Sequence, residues 1–178
     1  MKKLFVILLL STVWLQSAQA ELTIEITKGV EGALPIAVGP FGWQGPGEPP
    51  VDLAAVINND LQRSGRFETK SRADILALAR PTTPEEIEFK DWRALNADNL
   101  VVGQVRPLGT GGYEISFYLF GVYQGAQLLG YPSISTTAPN LRATAHSIAV
   151  LIIEQLMGEK GAFVTNLAYI TTLKQPDG

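Results

Sequence analysis

Apolar positions recur along the chain at two periods, and the change from one to the other marks the elements. In "ELTIEITKG", residues 21–29, Leu22, Ile24 and Ile26 alternate with Glu21, Thr23, Glu25 and Thr27. Such a two-residue period belongs to a strand with one buried face. The run "ALPIAVGPF", residues 33–41, is apolar and bounded by Gly and Pro, which predicts a buried strand. "GWQGPGEPP", residues 42–50, is too rich in Gly and Pro to be anything but a loop. Leu53, Ile57 and Leu61 then fall four apart, opposite Asn58, Asn59, Gln62 and Arg63, and Gly65 stands as a stop. The spacing predicts an amphipathic helix over residues 52–64. "RFETK", residues 66–70, reads as a short strand.

Thr83, Pro84 and Glu86 have capping-box spacing, so a short helix is expected there, running with a break through Trp92 to Leu95. Residues 99–107, 113–123 and 126–136 are strand-like, with "GTGG" at 109–112 as the first turn. Together they predict an antiparallel meander, and Pro132 predicts an edge or a bulge for its last strand. Residues 140–157 carry Leu141, Ala145, Ile148, Ile152 and Leu156 on one stripe, with Gly158 as a stop. The middle of that helix, "IAVLII", is apolar all round, so it should pack deeply against the sheet. A last strand-like run, "NLAYITTL", occupies residues 166–173. The order predicts an α/β fold: a mixed β-sheet of about five strands with two main helices packed on one face.

The first twenty residues change the picture of where this domain works. Lys2 and Lys3 precede an apolar run from Leu4 to Leu15, and small residues surround Ala20; these are the three parts of a cleaved export signal. The apolar run is about 12 residues, short of the roughly 20 needed to span a bilayer. A soluble exported protein is the expectation. The chain has no Cys, which excludes disulfides and Cys-linked lipid, so stability must come from burial. Loss of Lys2 and Lys3 moves the formal charge from −3 to −5. An acidic chain without a basic cluster is a poor partner for nucleic acid.

Candidate chemistry is sparse. His146 is the only His and sits one position beyond the helix stripe, where packing or capping is the expected role; no second metal ligand is near it in sequence. No Gly-x-Ser-x-Gly elbow accompanies it. Glu85, Glu86 and Glu88 fit the positive end of a helix better than an acid/base pair. The Gly-rich stretches are not followed by Gly-Lys-Ser/Thr and do not form a phosphate cradle. Trp43 is a candidate contact residue or a lid over a helix end. No catalytic residue, metal site or cofactor is expected from these patterns.

"PIAVGPF" (35–41), "NDLQRSGRF" (59–67), Trp92 and Leu95 followed by "ADNLVVGQV" (97–105), and "EQLMGEKGAF" (154–163) occur in order. In that order and spacing they resemble the amino-terminal domain of the TolB family of the Tol-Pal system. The chain departs from the family at Gly121, where Asp is frequent, at Ala149 and Val150 in place of Ser-Asp, and at Met157 in the helix end. The resemblance implies a non-enzymatic periplasmic interaction domain, at residues 33–163, that serves outer-membrane integrity and envelope constriction. It implies that residues 21–32 bind TolA, through Glu21, Leu22, Thr23, Ile24, Glu25, Ile26, Thr27 and Lys28. It also implies that residues 164–178 lead into a β-propeller, the module that binds Pal in the family, which this chain lacks.

Strand addition is the physical mode that fits residues 22–27: main-chain hydrogen bonds supply affinity, and alternate side chains choose the partner. The same alternation equally fits permanent pairing with the protein's own sheet, or exchange between the two. Two other classes remain open at this level. One is a periplasmic accessory factor for envelope synthesis or secretion. The other is an envelope hydrolase, which needs His146 in a cleft with a carboxylate partner.

Overall fold

A computed structural model describes residues 32–158, apart from residues 79 and 110. The export signal, the segment at residues 21–28 and the run at 166–173 lie outside the described residues. In chain order the elements are β1 (Leu34–Val38), β2 (Gly42–Trp43), α1 (Leu53–Arg63), β3 (Phe67–Thr69), α2 (Arg72–Leu76), α3 (Phe89–Ala94), β4 (Asn99–Pro107), β5 (Gly112–Gly121), β6 (Ala126–Thr137) and α4 (Leu141–Met157). The strands form one mixed sheet in the order β3-β1-β4-β5-β6, with β2 continuing alongside β4. β1 is parallel to β3 and β4, whereas β4, β5 and β6 form the antiparallel meander.

The two-residue period sorts the sheet into two faces. Ile36, Val38, Val101, Val105, Ile115, Phe117 and Leu119 meet α1 and α4 on one of them. From the helices come Leu53, Ile57 and Leu61, and Leu141, Ala145, Ile148 and Ile152, all buried. The stripe of the long C-terminal helix is therefore the one its spacing predicts. Each of its fully buried Ile side chains contributes about 1.5–3 kcal/mol through removal from water.

Ala37, Leu100, Val102, Phe120 and Val122 face the other way. The two main helices account for only one face; on the second, Ile75 of α2, Ile87, Trp92 of α3 and Ala97 build a separate apolar cluster. α2 has too few residues for a helical period to show, and its start is set by Ser71, whose hydroxyl accepts from the Asp74 N–H at 3.2 Å. The helix expected from Thr83 to Leu95 divides: Pro84–Glu86 form one 3-10 turn, and α3 begins at Phe89.

The stretch 42–50 is not all loop. Gly42 and Trp43 pair in parallel with Gln104 and Val105, because Gly39 and Pro40 carry the chain past the end of β1 while keeping it beside β4. Asp52 then caps α1, its carboxylate accepting from the Ala55 N–H at 3.0 Å. Pro132 sits on β6, an edge strand, where the register with β5 shifts between Ile115 and Phe117. Both consequences expected of that proline are present. Gly158 ends α4 at φ +68°, its N–H donating to the Glu154 carbonyl at 3.0 Å.

Candidate functional site

His146 lies near the start of α4, and its Nδ1 meets a carboxylate oxygen of Asp60 on α1. The other carboxylate oxygen of Asp60 pairs with Arg63 one turn along the same helix. Asp60 and His146 flank the buried stripes of their helices, so helix packing brings together two residues 86 positions apart. The imidazole is 45% exposed, and the pair does not line the cleft described below. Ser64 and Ser147, the nearest hydroxyls in sequence, donate to the carbonyls of Leu61 and Ala143. A carboxylate beside an imidazole can orient a base, but among the described residues no nucleophile is hydrogen-bonded to this imidazole.

The pair instead ties α1 to α4 across a wet seam. His146→Ala is expected to lower stability by about 1 kcal/mol or less, the scale of a half-exposed polar contact, measured by urea denaturation. A loss above about 3 kcal/mol, the scale for breaking a buried pair, would contradict this placement.

The three glutamates separate on inspection of their partners. Glu86 accepts from the N–H groups of Thr82 at 2.8 Å and Thr83 at 3.3 Å, and these amides hold its carboxyl below the usual carboxylate range. It closes the expected capping box on a 3-10 turn. Glu88 faces Lys90 at 3.7 Å, and Glu85 is exposed. Another carboxylate, Glu114, is also held low, first by its hydrogen bonds from Arg106 and then by Ser133.

An open cleft of about 240 Å³ lies between β2 and the start of α1. Phe41, Trp43, Pro49, Val51 and Val105 line it, and Arg72 and Asp52 pair at its side at 2.9 Å. Trp43 is fixed at the cleft wall: its indole N–H donates to the Pro46 carbonyl at 3.2 Å and its ring packs against Tyr113 at 6.1 Å between centroids. Among the described residues no group of three or more His, Cys, Asp or Glu is placed to hold a metal ion. None of their helices is long and apolar enough to cross a membrane.

Comparison with known proteins shows the family. Residues 22–128 match the family model of the TolB amino-terminal domain. The chain belongs to the TolB amino-terminal domain family. The Tol-Pal system protein TolB of Nitrosococcus oceani is 46% identical over 169 residues, covering 93% of this chain and 38% of that protein. The Thioalkalivibrio sulfidiphilus protein of the same name is 41% identical over 159 residues, covering 89% of this chain and 36% of that one. A crystal structure of TolB from Acinetobacter baumannii superposes with a TM-score of 0.59 at 27% identity, over 74% of this chain and 30% of its own. The chain thus spans under two fifths of the curated relatives it matches.

For the TolB domain this supports the α/β architecture and the four-motif resemblance together. "PIAVGPF" becomes β1 and the strand-like turn that leads into β2, while "NDLQRSGRF" becomes the end of α1 and the start of β3. "ADNLVVGQV" is the run into β4. The TolB match also includes the alternating residues from Leu22 onward, whose proposed contacts lie outside the described residues.

Proposed function

We propose that this chain is a non-enzymatic periplasmic interaction domain of a Tol-Pal envelope system, and that residues 21–28 bind TolA by strand addition. The observation that carries the reading is the family match beginning at Leu22, two positions after the cut expected at Ala20. Export then leaves an alternating segment at a free amino end, with Leu22, Ile24 and Ile26 on one side and Glu21 and Glu25 on the other. The relatives' shared designation as Tol-Pal system proteins supports the envelope role. That role is to sustain outer-membrane integrity and constriction at division. Pal is a partner only of a longer protein that carries the propeller.

Titration of the mature protein with the carboxy-terminal domain of TolA, with and without residues 21–32, tests the reading. Removal is expected to weaken binding at least about tenfold, or 1.4 kcal/mol, while leaving the melting of the sheet in place. Equal affinity of the two forms would sink the epitope; capture of an envelope synthase or secretion component without TolA would favour an accessory factor instead.

A further inference from the structure

Among the described residues the sheet ends at two strands, β3 and β6, and the two edges are built differently. β3 has three residues, with Glu68 exposed in its middle and Lys70 paired to it at 2.9 Å. A short edge that carries charges offers little to a further strand. β6 is the opposite case. It runs for twelve residues, about 40 Å at the rise of a strand, and "AQLLGYPSISTT" holds no charged residue. None of its side chains is fully buried. Such an edge suits a second copy of itself. Two β6 strands related by a two-fold axis run antiparallel, and an uncharged strand brings no like charges face to face.

The backbone directions show where that pairing fails. The Ser116 carbonyl points toward β4, since a Cβ at Gly103 would stand 2.5 Å from its oxygen. Ile115 and Phe117 therefore turn their hydrogen-bonding groups toward β6, where Ile134 and Tyr131 face them. Pro132 and Ser133 are left opposite Ser116 alone, so the extra residue of the bulge lies in the outward-turned stretch between those two. Pro132 has no N–H to offer a further strand. Six residues of β6 precede it and five follow, so a two-fold axis at the middle of the strand would bring the prolines of both copies together. The bulge is also braced on the second sheet face. The Ser133 hydroxyl donates to Glu114 Oε1 at 2.8 Å, and Arg106 Nε donates to the other oxygen of that carboxylate at 3.1 Å. The brace thus joins β4, β5 and β6.

We propose that Pro132 and its braced bulge bar the β6 edge from pairing with β6 of a second copy, and so keep this domain monomeric. Shortness and charge protect β3; an uncharged strand four times as long relies on an interruption at its centre. The proposal is independent of TolA binding.

Pro132→Thr supplies an N–H and a β-branched side chain at that place. In the mature protein it is expected to self-associate at least about tenfold more tightly than the native chain, measured by sedimentation equilibrium. Adding Ser135→Lys, which puts a positive charge on the edge of each copy, should return the monomer. Hydrogen exchange locates the contact. The amides of Gly130 and Ser135, which alternate outward, should slow in the associated variant, whereas those of Tyr131 and Ile134, turned toward β5, should not. Pro132→Ala supplies the same N–H with less bulk, and circular dichroism checks that both variants keep the fold. Monomers in both variants, association that Ser135→Lys leaves untouched, or Gly130 and Ser135 amides already slow in the native monomer would overturn the proposal.

Discussion

Trp92→Ala is expected to lower the stability of the domain by about 3–5 kcal/mol, the range for removing a fully buried large aromatic. Trp92 is 1% exposed and lies on α3 in the cluster with Ala37, Ile75, Ile87, Leu100, Val102, Phe120 and Val122. Among the described residues the second sheet face is covered by two short helices and an irregular connection, so few of their side chains can move in to fill the volume. α3 itself has six residues, too few to persist without the packing of this ring. The cost should thus include loosening of the connection as well as the cavity. Denaturant and thermal unfolding will measure it, with a fall in Tm on the order of 10 °C for a domain of this size. A loss under about 1 kcal/mol, the scale of an ordinary surface change, would mean that the second layer is not a packed core.

The periods in the sequence were sufficient where a long element has one wet side. α1 and α4 are placed by their stripes, and β4, β5 and β6 by runs bounded with Gly and Pro. Short elements carried no such signal. β2 is two residues long and α2 five, too short for a diagnostic period to repeat even twice, and their existence depends on neighbours: Gly42 and Trp43 need β4 beside them. The second apolar cluster was hidden for a related reason. Ile75, Ile87, Trp92 and Ala97 are irregularly spaced because four separate backbone segments deliver them.

The contacts of His146 illustrate a different limit. One residue beyond a buried stripe is a legible position, but Asp60 is a partner only after two helices have packed. The amino-terminal segment reverses this: its alternation is plain, yet alternation describes a strand without naming the strand it pairs with. The resemblance in the β1, α1–β3, β4 and post-α4 motifs supplied the family, and the match over residues 22–128 supports it.

Gly103→Ala is the second large effect expected, and it tests how the ordered cleft at β2 is built. A Cβ at Gly103 would stand 2.5 Å from Phe41 Cε1 and 2.5 Å from the Ser116 carbonyl oxygen. Phe41 can swing; the carbonyl cannot, because Ser116 belongs to β5 and is held in register opposite Gln104. Overpacking of this kind costs about 1–3 kcal/mol. Local damage should exceed the global one, since Phe41 adjoins Gly42 and Trp43, and a displaced ring pulls β2 away from β4. The Gln44 N–H, which donates to the Val105 carbonyl at 3.0 Å, should therefore exchange faster in the variant, relative to amides of α4. Repeating the substitution in a Phe41→Ala background separates the two contacts: the part of the cost due to the ring should vanish and the part due to Ser116 should remain. If Gly103→Ala is neutral in both backgrounds, Phe41 does not seat over β4, and the cleft beside Trp43 is not fixed by the sheet.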